Sequence, residues 1–135
     1  MLRDERWDRL EPADWDAFAQ AWISKLRGSS DDSHADIGQS VVMMNFTAKP
    51  EHQWQFILAA MAHAGDNELG HIAAGPIEHL LGNYGDKYIE NIEQQAATDP
   101  KFARMLLDVW KYMMSDDVWA RVEAIKAKFQ TSLGG

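Results

Sequence analysis

A chain of 135 residues that is 46% hydrophobic, with 6 Trp and 7 Met, has enough apolar material for one core, which excludes a disordered protein despite a net charge of −8. The absence of cysteine excludes a disulfide framework, a thiolate nucleophile and a Cys-ligated zinc, and a reducing cytoplasm is the expected location. The opening MLRDERWDRL alternates charge with bulk and is not expected to be a signal peptide, while the longest uncharged span, His52–Gly65, is too short and too polar to cross a bilayer.

Acidity is uneven along the chain. Residues 66–99 carry seven acids against the single base Lys87, whereas residues 100–135 carry four acids and six bases. An acidic middle repels phosphate, which argues against nucleic acid and suits a basic protein partner.

Glu11-Pro12 opens the first predicted helix, in which Trp15, Phe18, Ala19, Trp22, Ile23 and Leu26 keep the helical period until Gly28 ends it. The small, polar residues from Gly28 to Asp36 read as a loop. A shorter helix is expected from Asp36 to about Asn45, with Ile37, Val41 and Met44 on one face; Val41–Met43 alone resembles a strand core but has no partner strand. Pro50 starts a third helix to about Ala64, carrying Trp54, Ile57, Leu58 and Met61, and its lack of charge predicts cover on most sides.

The stretch Asp66–Gly85, DNELGHIAAGPIEHLLGNYG, reads as one helix ending and another beginning, with Gly75-Pro76 as the break, Pro76 at the first position of the new helix and Gly85 just past its end. The succession Ala73, Ala74, Gly75 permits close approach of a neighbour. Asp86 then caps a helix carrying Tyr88, Ile89, Ile92 and Ala96. Asp99-Pro100 begins the next, with Phe102, Met105, Leu106, Val109 and Met113 in one stripe and Leu107, Trp110 and Met114 in a second. Ser115 caps the last helix, with Val118, Val122, Ile125 and Phe129 inward and Arg121, Lys126 and Lys128 outward. Trp7 and Trp54, with polar neighbours, are expected to be half exposed.

These elements predict an all-α fold, a compact array of short antiparallel helical hairpins, about six to eight helices in a single domain over residues 1–135, with residues 1–10 as a lead-in and residues 130–135 as a fraying tail. A regular four-helix bundle is the second choice.

The strings AAGPIEHLL at Ala73–Leu81, IEQQAATDPKF at Ile92–Phe102 and VW at Val109-Trp110 resemble an uncharacterised family of small bacterial helical proteins, with a pattern close to AAGP(L/I)E-LL, IE--A--DP-F and VW. The resemblance implies an all-helical bacterial protein and no mechanism; His79 stands where the pattern has an acid.

Glu78, with His71 and His79, is the densest group of reactive side chains. The plain reading places Glu78 in the first turn of its helix, where its carboxylate serves the free N–H groups; the functional reading makes it a general base or a ligand. His63, His71, Glu78 and His79 are all metal-ligand types, but no HExxH is present and the adjacent Glu78 and His79 diverge by about 100° on a helix, so no metal and no cofactor is expected. Glu90 and Glu93 share a helix face and read as a solvated acidic surface. Asp31, Asp32, His34 and Asp36 read as turn residues rather than a calcium loop, and Ser29, Ser30, Ser33 and Ser40 lack a GxSxG setting. The function expected is a cytoplasmic protein-interaction module using an acidic face or a Trp-lined groove, with an inhibitor or immunity protein against a basic toxin as a special case. The alternative is a small metal-assisted or carboxylate-based enzyme centred on Glu78 with His71 and His79.

Overall fold

The computed structural model describes residues 5–28 and 36–134, and among these every regular element is helical, as an all-α fold requires. The loop candidates Ser29, Ser30, Asp31, Asp32, Ser33 and His34 lie outside the described residues. The chain divides into two compact units, one ending at Glu68 and the other beginning at Leu69.

The first unit holds a 3-10 turn, Glu5–Arg9, then α1 (Pro12–Leu26), α2 (Ile37–Thr47) and α3 (Pro50–His63), and a second 3-10 turn, Asp66–Glu68. Pro12 and Pro50 occupy the first turns of their helices, where a missing N–H is harmless, and the Asp14 carboxylate accepts the Glu11 backbone N–H at 2.9 Å. α1 packs chiefly on α3 and also on α2. Of the residues of α3 only Glu51 and Ala62 are exposed, in keeping with its uncharged sequence.

Aromatic rings make this core. The Phe18 ring lies 5.0 Å from Phe56 and 5.7 Å from Trp7, which stacks on it at 15°. Trp7 is buried, not half exposed as its charged neighbours imply, and its indole N–H donates to Thr47 Oγ1 at 2.8 Å. The Arg6 guanidinium lies 4.4 Å from the Trp7 ring centre, so one of the charges that signals solvent in the sequence covers the ring instead. Trp54 is half-buried as expected. At the end of the unit, Arg27 donates to Glu68 Oε1 at 2.8 Å and to the His63 carbonyl at 2.9 Å, and Glu68 also accepts the Gly65 N–H.

The second unit contains α4 (Leu69–Ile72), a π-turn (Ala73–Ile77), α5 (Glu78–Thr98), α6 (Pro100–Leu106) and α7 (Asp116–Gly134). Its first half corrects the sequence reading. Gly75-Pro76 does not end a helix; helical backbone runs through it as a π-turn. Proline has no N–H to give and its ring crowds the carbonyl one turn back, and the wider π-turn accommodates both without a break. The break expected at Gly85-Asp86 is present as a kink: Tyr84 is non-helical (φ −136°, ψ 29°), so Glu78–Thr98 is two helical segments that meet there, within a residue or two of the expected boundary. Asp99 behaves as expected, its carboxylate accepting the Lys101 and Phe102 N–H groups, and Ser115 Oγ accepts the Val118 N–H at 3.1 Å.

The second correction concerns the predicted long helix after Pro100. α6 ends at Leu106, tightening into three-residue bonds such as Leu107 N–H to the Arg104 carbonyl, and the chain reaches α7 without a further helix. Phe102, Met105, Leu106, Val109 and Met114 are buried, but Trp110 and Met113 are exposed, so the two helical stripes do not persist to residue 114. Met113 adopts φ 55°, a left-handed conformation that no helix admits. Ala73 is fully buried, and close approach is seen at two glycines further along: a Cβ on Gly82 would lie 2.7 Å from the Tyr112 carbonyl oxygen, and one on Gly85 3.0 Å from Val118.

Gly82→Ala should therefore destabilise the protein by about 1–3 kcal/mol, since the obstacle is backbone. Gly38→Ala, in α2 with no atom within 4 Å of its would-be Cβ, should stabilise it by about 0.5–1 kcal/mol through reduced chain entropy. Urea unfolding followed by circular dichroism checks both; equal effects of one sign would contradict the assignment.

Candidate functional site

Glu78 is the residue on which the second unit converges. It follows the π-turn directly and is 9% exposed. The backbone is helical on both sides of it, so there is no free helix start for it to serve; that expectation is corrected. Its Oε2 instead accepts the backbone N–H of Trp110 at 3.0 Å, across 32 residues of chain.

The same peptide unit is held at its other end. Lys126 Nζ, from α7, donates to the Val109 carbonyl at 2.5 Å. That carbonyl and the Trp110 N–H belong to one peptide group, so its two polar atoms are taken by opposite charges from two helices. A peptide outside regular structure lacks the bonds that a helix would supply, and a charged acceptor and a charged donor replace them. Lys126 thus turns inward, contrary to the outward position expected for it, and its ammonium also sits 4.9 Å from the Trp119 ring centre.

Burial pushes the Glu78 carboxyl above the ordinary carboxylate range, and the Trp110 N–H and the Lys126 charge offset part of that rise. The peptide so held carries an exposed indole. Trp110 is 77% exposed and is followed by Lys111, Tyr112 and Met113, all exposed. Lys111 pairs with Asp116 at the start of α7. Tyr112 meets the His79 ring edge-on at 5.3 Å between centres, and burial holds the His79 imidazole below its ordinary value.

The three sequence candidates therefore have different surroundings. Glu78 binds the Trp110 backbone, His79 lies against Tyr112, and His71 is exposed on α4. His63 belongs to the first unit and pairs with Asp16 at 2.9 Å. Among the described residues no three His, Asp or Glu side chains come together as metal ligands would have to. Glu93 is no free member of an acidic pair: Arg121 binds both its carboxylate oxygens, which lowers the Glu93 carboxyl, while Glu90 is exposed. Sequence reasoning missed Trp110 and Lys126, although Val109-Trp110 stood among the motif residues.

An acid whose pKa is higher folded than unfolded contributes stability that is complete below its unfolded value and is lost as pH rises through the folded one. Relative to Glu78→Gln, the wild type should therefore gain stability as pH falls from neutrality toward the ordinary value of 4.5. Glu78→Gln keeps an acceptor for the Trp110 N–H, whereas Glu78→Ala leaves that donor unmet and should cost about 1–3 kcal/mol. Urea unfolding of the three proteins across this range reads both effects, and a Gln variant as unstable as Ala would contradict the hydrogen-bond assignment.

Comparison with curated proteins and with solved structures returns no match. One family model matches residues 27–129, a span that includes all of α2 to α6, the gripped peptide and most of α7. The chain belongs to the family of unknown function DUF6869.

Proposed function

We infer that the protein is an interaction module, and that the segment Trp110–Met113 is the surface that engages another protein. The observation that carries this reading is a large indole left 77% exposed on a peptide whose N–H and carbonyl are both fixed by charged side chains. A Trp on a rigid backbone gives much contact area at little cost in ordering, which is why Trp dominates binding hot spots. Were the segment only a connection, nothing in its packing would need a Trp at the position that buries least.

The surroundings favour a partner with basic residues beside an apolar recess. Asp108, Asp116 and Asp117 are exposed along the same segment and the start of α7, and the one lysine between them, Lys111, is already paired with Asp116. A net charge of −8 would speed encounter with such a partner. Two recesses among the described residues of the second unit, one along α7 and one beside Gly82–Lys87, have no Trp in their lining, and the anchor is an exposed side chain. The carboxylate-enzyme alternative has less support, because the Glu78 oxygen nearest to hand is bonded to Trp110 and His71 lies on the exposed side of α4.

A photo-crosslinking amino acid at position 111 in the living source cell should give one defined adduct that the same probe at Gln94, on the exposed side of α5, does not. With the captured protein purified, Trp110→Ala should weaken binding by roughly 30-fold, the scale of a hot-spot truncation of about 2 kcal/mol. No adduct from position 111, the same adducts from both positions, or equal affinity of the Trp110→Ala variant would contradict the proposal.

A further inference from the structure

The first unit carries a surface of a different kind. α2 reads IGQSVVMMNFT, without one Asp, Glu, Lys, Arg or His, in a chain whose net charge is −8. Val41, Met44 and Asn45 are its buried side. On the other side Gly38, Gln39, Val42, Met43 and Phe46 are exposed, and three of these five are large and apolar. Gly38, Val42 and Phe46 follow one another at four-residue spacing, and Gln39 and Met43 form a second row beside them, the ridges by which one helix packs on another.

Nothing within the fold asks for glycine at position 38. A Cβ there would meet no atom within 4 Å, and its φ lies outside the left-handed range. Glycine inside a helix costs about 1 kcal/mol relative to alanine. Close approach of a body from outside the chain gives the residue a reason.

The charges and the order of the row select that body. A partner rich in acids or bases finds no counter-charge on α2. Two copies of a chain of net charge −8 repel each other, and a face without charge is where they meet at least cost. A contact between identical faces must also complement itself. With the helices antiparallel about a twofold axis at Val42, position 46 of each copy lies over position 38 of the other, so Phe46 fills the space that Gly38 leaves. Parallel helices would instead set Phe46 against Phe46 and glycine against glycine. Asp36 lies six residues before Val42 and Lys49 seven after it, so the antiparallel order also brings Asp36 of each copy to the end where the other has Lys49. Asp36 is exposed, and Lys49, which lies 3.5 Å from Asp8, is half-buried.

We propose that the exposed face of α2 is a self-association surface, and that its occupant is a second copy of this chain, antiparallel about Val42. It uses no residue of the Trp110 surface, and neither reading rests on the other.

The test is sedimentation equilibrium of the full-length protein from about 1 to 500 µM. The exposed parts of three side chains fall short of the roughly 800 Å² per partner of a standard interface, so a reversible monomer–dimer equilibrium with a Kd of the order of 10–100 µM is expected. Val42→Glu and Val42→Lys each set like charges together at the axis, so either variant alone should associate at least about tenfold more weakly, with the circular dichroism spectrum and melting temperature of the wild type in dilute solution. An equimolar mixture of the two should dimerise again, because this axis sets position 42 of one copy against position 42 of the other. Trp110→Ala should associate as the wild type does. A wild type that stays monomeric throughout the range overturns the proposal. So does undiminished association of the position-42 variants, a mixture that fails to restore it, or loss of the dimer in Trp110→Ala, which would put the contact on the other surface.

Discussion

One peptide group, between Val109 and Trp110, organises the second unit. α6 ends at Leu106 and α7 begins at Asp116, so the residues between them have no helical ladder in which to place their N–H and carbonyl groups. Leaving such groups buried and unmet costs more than a bond is worth when made, and the chain meets the cost with Glu78 on one side of the peptide and Lys126 on the other. The grip also explains why α5 carries glycine where it does. Tyr112 lies so close to Gly82, and Val118 so close to Gly85, that any larger residue would push away the segment that Glu78 holds. An exposed indole follows from the same arrangement, because the backbone is fixed by others and the ring is free to face outward.

The π-turn at Ala73–Ile77 places Glu78 for this role. A π-turn adds about one residue to the helical count, which rotates everything after it by roughly 100° about the axis. Without it, Glu78 would present a different bearing from α5 and Ile77, Leu80 and Leu81, all buried, would shift with it. Proline at position 76 thus has a reason beyond starting a helix: it makes the regular α-turn unfavourable at the position where an irregular one aims the carboxylate.

Local signals in the sequence were reliable and non-local ones were not. The periodic apolar residues of α1 to α3, the prolines at 12, 50 and 100, and the caps at Asp99 and Ser115 all act within one turn, and the structure has them where the pattern puts them. Gly75-Pro76 gives the same local signal whether a helix breaks or widens, so only packing could decide. Leu107, Trp110 and Met114 keep a helical spacing, but the spacing says nothing of a carboxylate 32 residues earlier that draws the backbone out of the helix. Trp7 is buried for a related reason: its partner Thr47 is 40 residues away, and the neighbouring charge that signals solvent in the sequence, Arg6, lies over the ring. For the site, Glu78 was visible as a carboxylate among apolar residues. Its partners were not, because one is a backbone group and the other, Lys126, looked like any outward lysine on a helix.

Amide hydrogen exchange at Trp110 tests the grip most directly, because it reads the bonded N–H itself while the indole of the same residue is open to water. The account predicts strong protection of the Trp110 amide, comparable with amides inside α5 and lost selectively in Glu78→Ala while α5 stays protected. Exchange of the wild-type Trp110 amide at the rate of an unstructured peptide would contradict it.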